Sequence, residues 1–202
     1  MIAAAGFVLA GGESSRMGRD KALLELRGVS LLVRTVSLVE SVVARPTVIG
    51  HADRYRSLGL HTIADDWPSA GPLGGIATAL RTSEASWSLV VACDLPYLTK
   101  AWLNYLVGRA LAAEAADVLL PLTLRGAEPL CAMYHKRCEP AIHRALDRGT
   151  RKVTDALAGI QLETIDPAKW EAFDPDGLLF KNMNSPADYE EAEARLGGTT
   201  QP

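Results

Sequence analysis

Apolar residues along this chain fall into two alternating kinds of segment. Short runs at Gly6–Leu9, Pro46–Ile49, Trp87–Cys93 and Asp117–Leu120 read as strands. The Trp87–Cys93 run is nearly continuous in small and β-branched apolar residues. A half-exposed strand would alternate with polar residues, so this one is expected at the centre of a parallel sheet, covered on both faces. Between the runs the period changes. Leu32, Val36, Val39 and Val43 share one helical face. Trp102, Leu103, Leu106, Val107, Ala110 and Leu111 repeat the pattern after Thr99, the predicted N-cap. Gly71-Pro72 opens a further helix, because proline in a first turn loses no hydrogen bond.

Strands alternating with helices predict an α/β fold, Rossmann-like and three-layered, with a mostly parallel sheet. The sections Ala127–Tyr134 and Gln161–Asn184 are less regular. They are expected to supply an antiparallel edge and a substrate-facing subregion. A single domain over residues 1–196 is expected, with residues 197–202 a frayed tail.

Composition narrows the class. With 202 residues, 48% apolar and 22% charged, the chain is long enough for a real core. Its 21 Lys and Arg against 24 Asp and Glu leave a net charge of −3, not the basic footprint of a nucleic-acid binder. An anionic ligand would need a local patch of cations. The apolar start, Met1 to Ala10, has no basic residue and runs into a glycine pair, so it reads as a first strand and not a signal peptide. No apolar run reaches the ~20 residues of a bilayer span. Cys93, Cys131 and Cys138 are an odd, widely spaced set, and His51, His61, His135 and His143 have neither HxH nor HExxH spacing. No disulfide framework and no zinc site follow from them. A cytoplasmic protein is expected, with neither nucleic acid nor membrane as partner.

The chemistry begins where the first strand ends. Gly11-Gly12 lets backbone N–H groups approach an anion without interference from Cβ. Arg16, Arg19 and Lys21 then place three cations within six residues. The loop sits at the carboxyl end of a predicted parallel strand, where open α/β sheets bind ligands. A triphosphate needs this combination. Neither GxxxxGK[ST] nor GxGxxG fits the segment. Asp94, directly after the buried strand, would point a carboxylate into the same crevice. Mg²⁺ is typically held by one or two carboxylates plus substrate phosphates, so Asp94 alone is a sufficient protein ligand. A third junction, Asp65 to Ile76, carries Gly74-Gly75, which would give a planar base room against backbone. Asp65 or Asp66 would accept from a base amino or ribose hydroxyl, or else cap the turn before Pro68. Cys93 reads as a small buried hydrophobe, and Trp170 and Phe173 as packing residues. His135 and His143 read as surface or structural side chains.

In this order the elements resemble the molybdenum cofactor guanylyltransferase family, enzymes that join GMP from GTP to molybdopterin. The opening LAGGxSxRMGxDKxLL of that family stands here as Leu9 to Leu24. Its GPLxG junction is Gly71 to Gly75, and its CDxP strand end is Cys93-Asp94-Leu95-Pro96. The late P-L-x-A-x-Y is Pro129 to Tyr134, and the closing N-x-N-[ST]-P-x-[DE] is Asn182 to Asp188. The resemblance implies a nucleotidyltransferase fold and transfer of GMP to the phosphate of molybdopterin, with release of pyrophosphate. It places Leu9, Ala10, Gly11 and Gly12 on guanosine and phosphates, Arg16 and Lys21 on the triphosphate, and Asp65 at the guanosine end. Asp94 would contact both GTP and Mg²⁺. The candidate catalytic set is therefore Arg16, Lys21 and Asp94.

Asn182 and Asn184 would complete the metal or pterin side. Arg151 and Lys152 would bind the terminal phosphate of molybdopterin, although a solvated helix end explains that cluster equally well. Molybdopterin-delivering proteins are the implied transient partners. Two departures stand out: Gly50-His51 where some relatives carry an asparagine, and Ala127-Glu128 where relatives often have an uncharged polar residue or histidine. The rival readings are a cytidylyl- or sugar-phosphate nucleotidyltransferase of the same fold, and a nucleotide-binding module without turnover.

Overall fold

The computed structural model describes residues 3–11 and 20–197. The first half runs β1 (Ala4–Ala10), β2 (Glu25–Leu26), β3 (Val29–Ser30), α1 (Leu31–Glu40), β4 (Thr47–Gly50), α2 (Ala52–Tyr55) and β5 (Thr62–Ile63). Then come α3 (Pro72–Thr82), β6 (Trp87–Ala92), α4 (Lys100–Ala112), β7 (Val118–Thr123), β8 (Gly126–Ala127) and β9 (Cys131–His135). The chain closes with α5 (Glu139–Asp147), α6 (Val153–Ala156), β10 (Leu162–Ile165), α7 (Pro167–Trp170) and α8 (Pro186–Gly197).

Eight strands form one sheet in the order β10-β7-β9-β6-β1-β4-β5, with β8 paired to β7 off that path. β1 runs parallel to both β4 and β6, β4 to β5, and β7 to β10. Every residue of β6 is buried, as its nearly continuous apolar run predicts. The antiparallel section is where it was expected, but not at an edge. β9 lies between β6 and β7 and pairs antiparallel with both. The two-residue β8 is the antiparallel strand at the side. Cys131, Ala132, Met133 and Tyr134 are all buried, because both faces of the sheet are covered here.

The two-residue period of the strands sorts the core into layers. Val8, Leu89, Val91 and Met133 face α1 and α4, where Val36, Val39, Trp102, Leu103 and Leu106 meet them. Phe7, Val90, Ala132 and Tyr134 face the opposite way, against Leu73, Ile76 and Leu80 of α3 and Ile142 of α5. Thr99 caps α4 as predicted, its Oγ1 accepting from Trp102 N at 3.2 Å. Trp170 and Phe173 pack with Trp102 and Phe180, and Trp170 Nε1 donates to Leu122 O at 2.8 Å. His135 caps the turn that follows it and His143 lies against Trp67, so both are structural. Among the described residues, no helix is long and apolar enough to cross a membrane.

A small separate cluster, Leu26, Leu31, Met183 and Ala192, docks α8 on the β2–β3 hairpin. That docking returns the chain to the carboxyl end of β6, where Met183 N donates to Asp94 O at 2.9 Å.

The far end of α3 is held by one side chain. Lys136 Nζ donates to the carbonyls of Leu80, of Arg81 at 3.3 Å and of Ser83 at 3.1 Å, terminal acceptors that the helix itself leaves unpaired. Lys136→Met should therefore lower the unfolding free energy by about 1–3 kcal/mol, read as a lower urea midpoint at unchanged slope. An unchanged midpoint would mean that water replaces the ammonium without cost.

Candidate active site

Because β4 and β6 flank β1 on opposite sides, the connections leaving β1, β4 and β6 part around a crevice at their carboxyl ends. A cavity of about 730 Å³ opens there. Leu9, Ala10, Gly11, Ile49, Gly50, Ala92 and Cys93 form its floor, and Asp94, Lys21, His51, Asp65, Gly71, Pro72, Gly75 and Leu130 are among its walls. Gly11 is exposed, and a Cβ there would meet none of the described residues within 4 Å, so its backbone faces the cavity. Gly71 has φ +60°, a conformation that favours glycine, and among the described residues no side chain caps α3 at this end. Pro72 has no N–H and Gly74 N donates to Gly71 O at 3.0 Å, so the start of α3 offers the cavity chiefly its dipole, which favours negative charge there.

The Gly74-Gly75 pair works differently from the sequence expectation. A Cβ at Gly74 would overlap the carbonyl oxygen of Trp67, and one at Gly75 would press on the Leu9 side chain at 3.0 Å. Their small size lets α3 pack against the 64–70 segment and β1, and of the two only Gly75 reaches the cavity. Asp65 faces the crevice and caps the turn before Pro68. Its Oδ1 accepts from Trp67 N at 2.8 Å and Thr78 Oγ1 at 3.0 Å. Asp66 is tied up outside in an ion pair with Arg81 at 2.5 Å.

Opposite charges meet at the other end. Burial raises the Asp94 carboxyl above its ordinary range, while Lys21 and a backbone hydrogen bond pull it back. Lys21 Nζ donates to Asn184 Oδ1 at 2.6 Å, joining the start of the chain to its closing motif. That motif has a physical basis. Ser185 and Asp188 form a reciprocal cap on α8, with Ser185 N donating to Asp188 Oδ2 at 2.8 Å and Asp188 N donating to Ser185 Oγ at 3.2 Å. Asp188 also accepts from Asn184 N at 3.0 Å, which holds the Asn184 backbone where its side chain meets Lys21.

Cys93 is buried, and burial pushes its thiol upward, so it offers no thiolate nucleophile. Arg16 and Gly12 lie outside the described residues. Asn182 is exposed and makes no hydrogen bond among the described residues. Arg151 lines a neighbouring depression of about 210 Å³ that shares Pro68 with the main cavity, and Lys152 pairs with Asp155 at 3.6 Å. Asp20 and Leu130 also line the cavity and were not read as site residues, and Gly50 and His51, noted only as a departure from relatives, line it too. Asp20 had the one visible signal, a carboxylate between two cations of the glycine-rich segment.

Residues 6–162 match the MobA-like NTP transferase domain. The chain belongs to this family. A probable molybdenum cofactor guanylyltransferase of Pelotomaculum thermopropionicum is 32% identical over 95% of this chain and 93% of its own length. The molybdenum cofactor guanylyltransferase of Desulfosudis oleivorans is 31% identical over 97% of each. The crystal structure of molybdopterin-guanine dinucleotide biosynthesis protein A from Archaeoglobus fulgidus superposes with a TM-score of 0.84 at 25% identity, covering 96% of this chain and all of that one. A CMP-2-keto-3-deoxy-manno-octonic acid synthetase shares the fold alone, with a TM-score of 0.72 at 14% identity over 96% of this chain and 98% of that one. Like those relatives, this MobA-like protein is a nucleotidyltransferase of Rossmann-like fold, with helices on both sides of a mostly parallel sheet.

Among the described residues, no group of three or more His, Cys, Asp or Glu is placed to hold a metal. One half-buried carboxylate beside a lysine suits a cation that keeps its waters and takes most other ligands from substrate phosphates. That is the habit of Mg²⁺.

Proposed function

We propose that this chain transfers GMP from GTP to the phosphate of molybdopterin, releasing pyrophosphate and forming the guanine dinucleotide cofactor. The observation that carries the reading is the placement of Asp94 and Lys21 in one cavity with the bare Gly11 backbone and the uncapped start of α3. The names of the full-length relatives support guanine as the base and molybdopterin as the acceptor.

The acceptor phosphate oxygen attacks the α-phosphorus of GTP in line, and the bond to the β-phosphate oxygen breaks. The nucleophile is already an anion, so neither a general base nor a covalent enzyme intermediate is required. The chain positions the two phosphates and neutralises charge. Lys21, with Arg16 as its proposed companion, stabilises the departing pyrophosphate. Gly11 and the start of α3 hold the nucleotide without side-chain bulk, and Asp65 accepts from the guanosine end. Asp94 is the residue that would hold Mg²⁺, which would supply positive charge to neutralise the phosphates. We place the reaction in the cytoplasm, where free cysteines such as the three buried here stay reduced.

On the acceptor side we assign Asn182, Asn184, Arg151 and Lys152 to molybdopterin, delivered by transient protein partners. Changing Arg151 and Lys152 together to alanine should weaken molybdopterin binding and leave GTP affinity within a few-fold, because exposed charges beyond roughly 8 Å are largely screened at physiological salt. Equal loss of both ligands in a folded variant would move the cluster to the triphosphate. The function as a whole is tested by pyrophosphate release with each of the four nucleoside triphosphates, with and without molybdopterin. GTP-specific, molybdopterin-dependent release is expected. Preference for CTP or UTP would overturn the guanylyl assignment, and binding without release would leave a nucleotide-binding module.

A further inference from the structure

We propose that Tyr55 is a positioning residue for the triphosphate. Its hydroxyl ties together Ala10 and Asp20, the chain positions on either side of the glycine-rich segment, and so sets where Lys21 stands. Tyr55 ends α2, and its side chain is completely buried. Its hydroxyl donates to Asp20 Oδ2 at 3.0 Å and lies 3.4 Å from Ala10 O. A phenol has one proton, so the charge-assisted contact to Asp20 takes the larger share of it. The other oxygen of that carboxylate accepts from Ala22 N at 3.1 Å, which makes Asp20 the cap of the short turn Lys21–Leu23. Any displacement of Asp20 is therefore passed directly to Lys21.

Two neighbours are built around the same contact. Arg54 Nη1 reaches Asp20 Oδ2 at 3.0 Å from the solvent side. A Cβ at Gly50 would overlap Ala10 O and press on the Tyr55 ring at 3.0 Å, so the glycine makes the meeting of phenol and carbonyl possible. Burial and the Asp20 charge push the phenol far above its ordinary range, so it remains a donor at working pH. The ring already belongs to the α1–α4 core layer. Phenylalanine would supply the same packing, which leaves the tie as the hydroxyl's own contribution.

The inference rests on the nucleotidyltransferase reading only for its probe. In the full chain, Tyr55→Phe should raise KM for GTP with Mg²⁺ about three- to tenfold, the scale of one net hydrogen bond. GMP affinity and KM for molybdopterin should stay within twofold, because neither engages Lys21 through a leaving pyrophosphate. In an Asp20→Ala background the same substitution should add nothing. Should Tyr55→Phe fail to fold, Arg54→Ala loosens Asp20 from the surface and should shift KM for GTP in the same direction. A lowered melting temperature with wild-type KM for GTP would overturn the proposal, as would equal effects on GTP and GMP. If the wild type takes CTP instead of GTP, the guanylyl reading falls, and the same comparison is made with CTP and CMP.

Discussion

Replacing Asp94 by asparagine is expected to lower turnover by about two to four orders of magnitude, the scale on which a catalytic metal contributes. It should also raise the melting temperature of the ligand-free protein near neutral pH. Both effects come from one cause. The carboxylate stands half-buried at the end of β6, and burial raises it above the ordinary value of 3.8. A raised folded-state value means that the folded protein binds this proton more tightly than the unfolded chain does. The associated stability is fully present below the unfolded value and is lost as pH rises through the folded one. At neutral pH the ionised Asp94 therefore costs stability, which asparagine, an isostere of the neutral acid, removes. Differential scanning calorimetry with and without GTP and Mg²⁺ separates the two effects. The wild type should gain melting temperature on adding the pair, and the variant should gain far less. Near-wild-type turnover of Asp94→Asn at limiting Mg²⁺ would remove the residue from the site.

Changing Lys21 to alanine should lower kcat/KM for GTP by about 10- to 150-fold, the equivalent of about 1.5–3 kcal/mol for losing a charge-assisted hydrogen bond. The ammonium also holds Asn184 Oδ1, so the closing segment should lose its anchor across the cavity. A second consequence concerns protons. Lys21 is the largest influence pulling the Asp94 carboxyl down against its burial. Without it, the acidic limb of the pH–rate profile should move to higher pH. Lys21→Arg should rescue part of the limb shift and less of kcat/KM, because a planar fork does not replace a compact ammonium. Unchanged kcat/KM together with an unmoved limb would place Lys21 outside the reaction.

Much of this site is written locally in the chain. The burial of β6 follows from its nearly continuous apolar run, and Asp94 follows from its place at the end of that run. The starts of α3 and α4 follow from Gly71-Pro72 and Thr99. The cap of α8 is a four-residue pattern, Ser185 to Asp188. Each of these is decided by residues within one turn or one strand of each other, where period and capping chemistry act without knowledge of the rest of the molecule.

Other features needed the folded chain. β5 is two residues long and half-buried, and it becomes a strand only because β4 offers it a partner. The central position of β9 was not legible, since a period of two tells which face a residue takes and not which strand lies beside it. Lys21 meets Asn184 across 163 positions, and Tyr55 meets Asp20 across 35. The glycines at 74 and 75 read as open space in the sequence and are filled by Trp67 and Leu9 in the fold. The upward pull on Asp94 is a property of everything packed around it. Local order sets propensity and periodicity, but a close approach, a burial and a proton affinity are sums over neighbours that only the tertiary arrangement brings together.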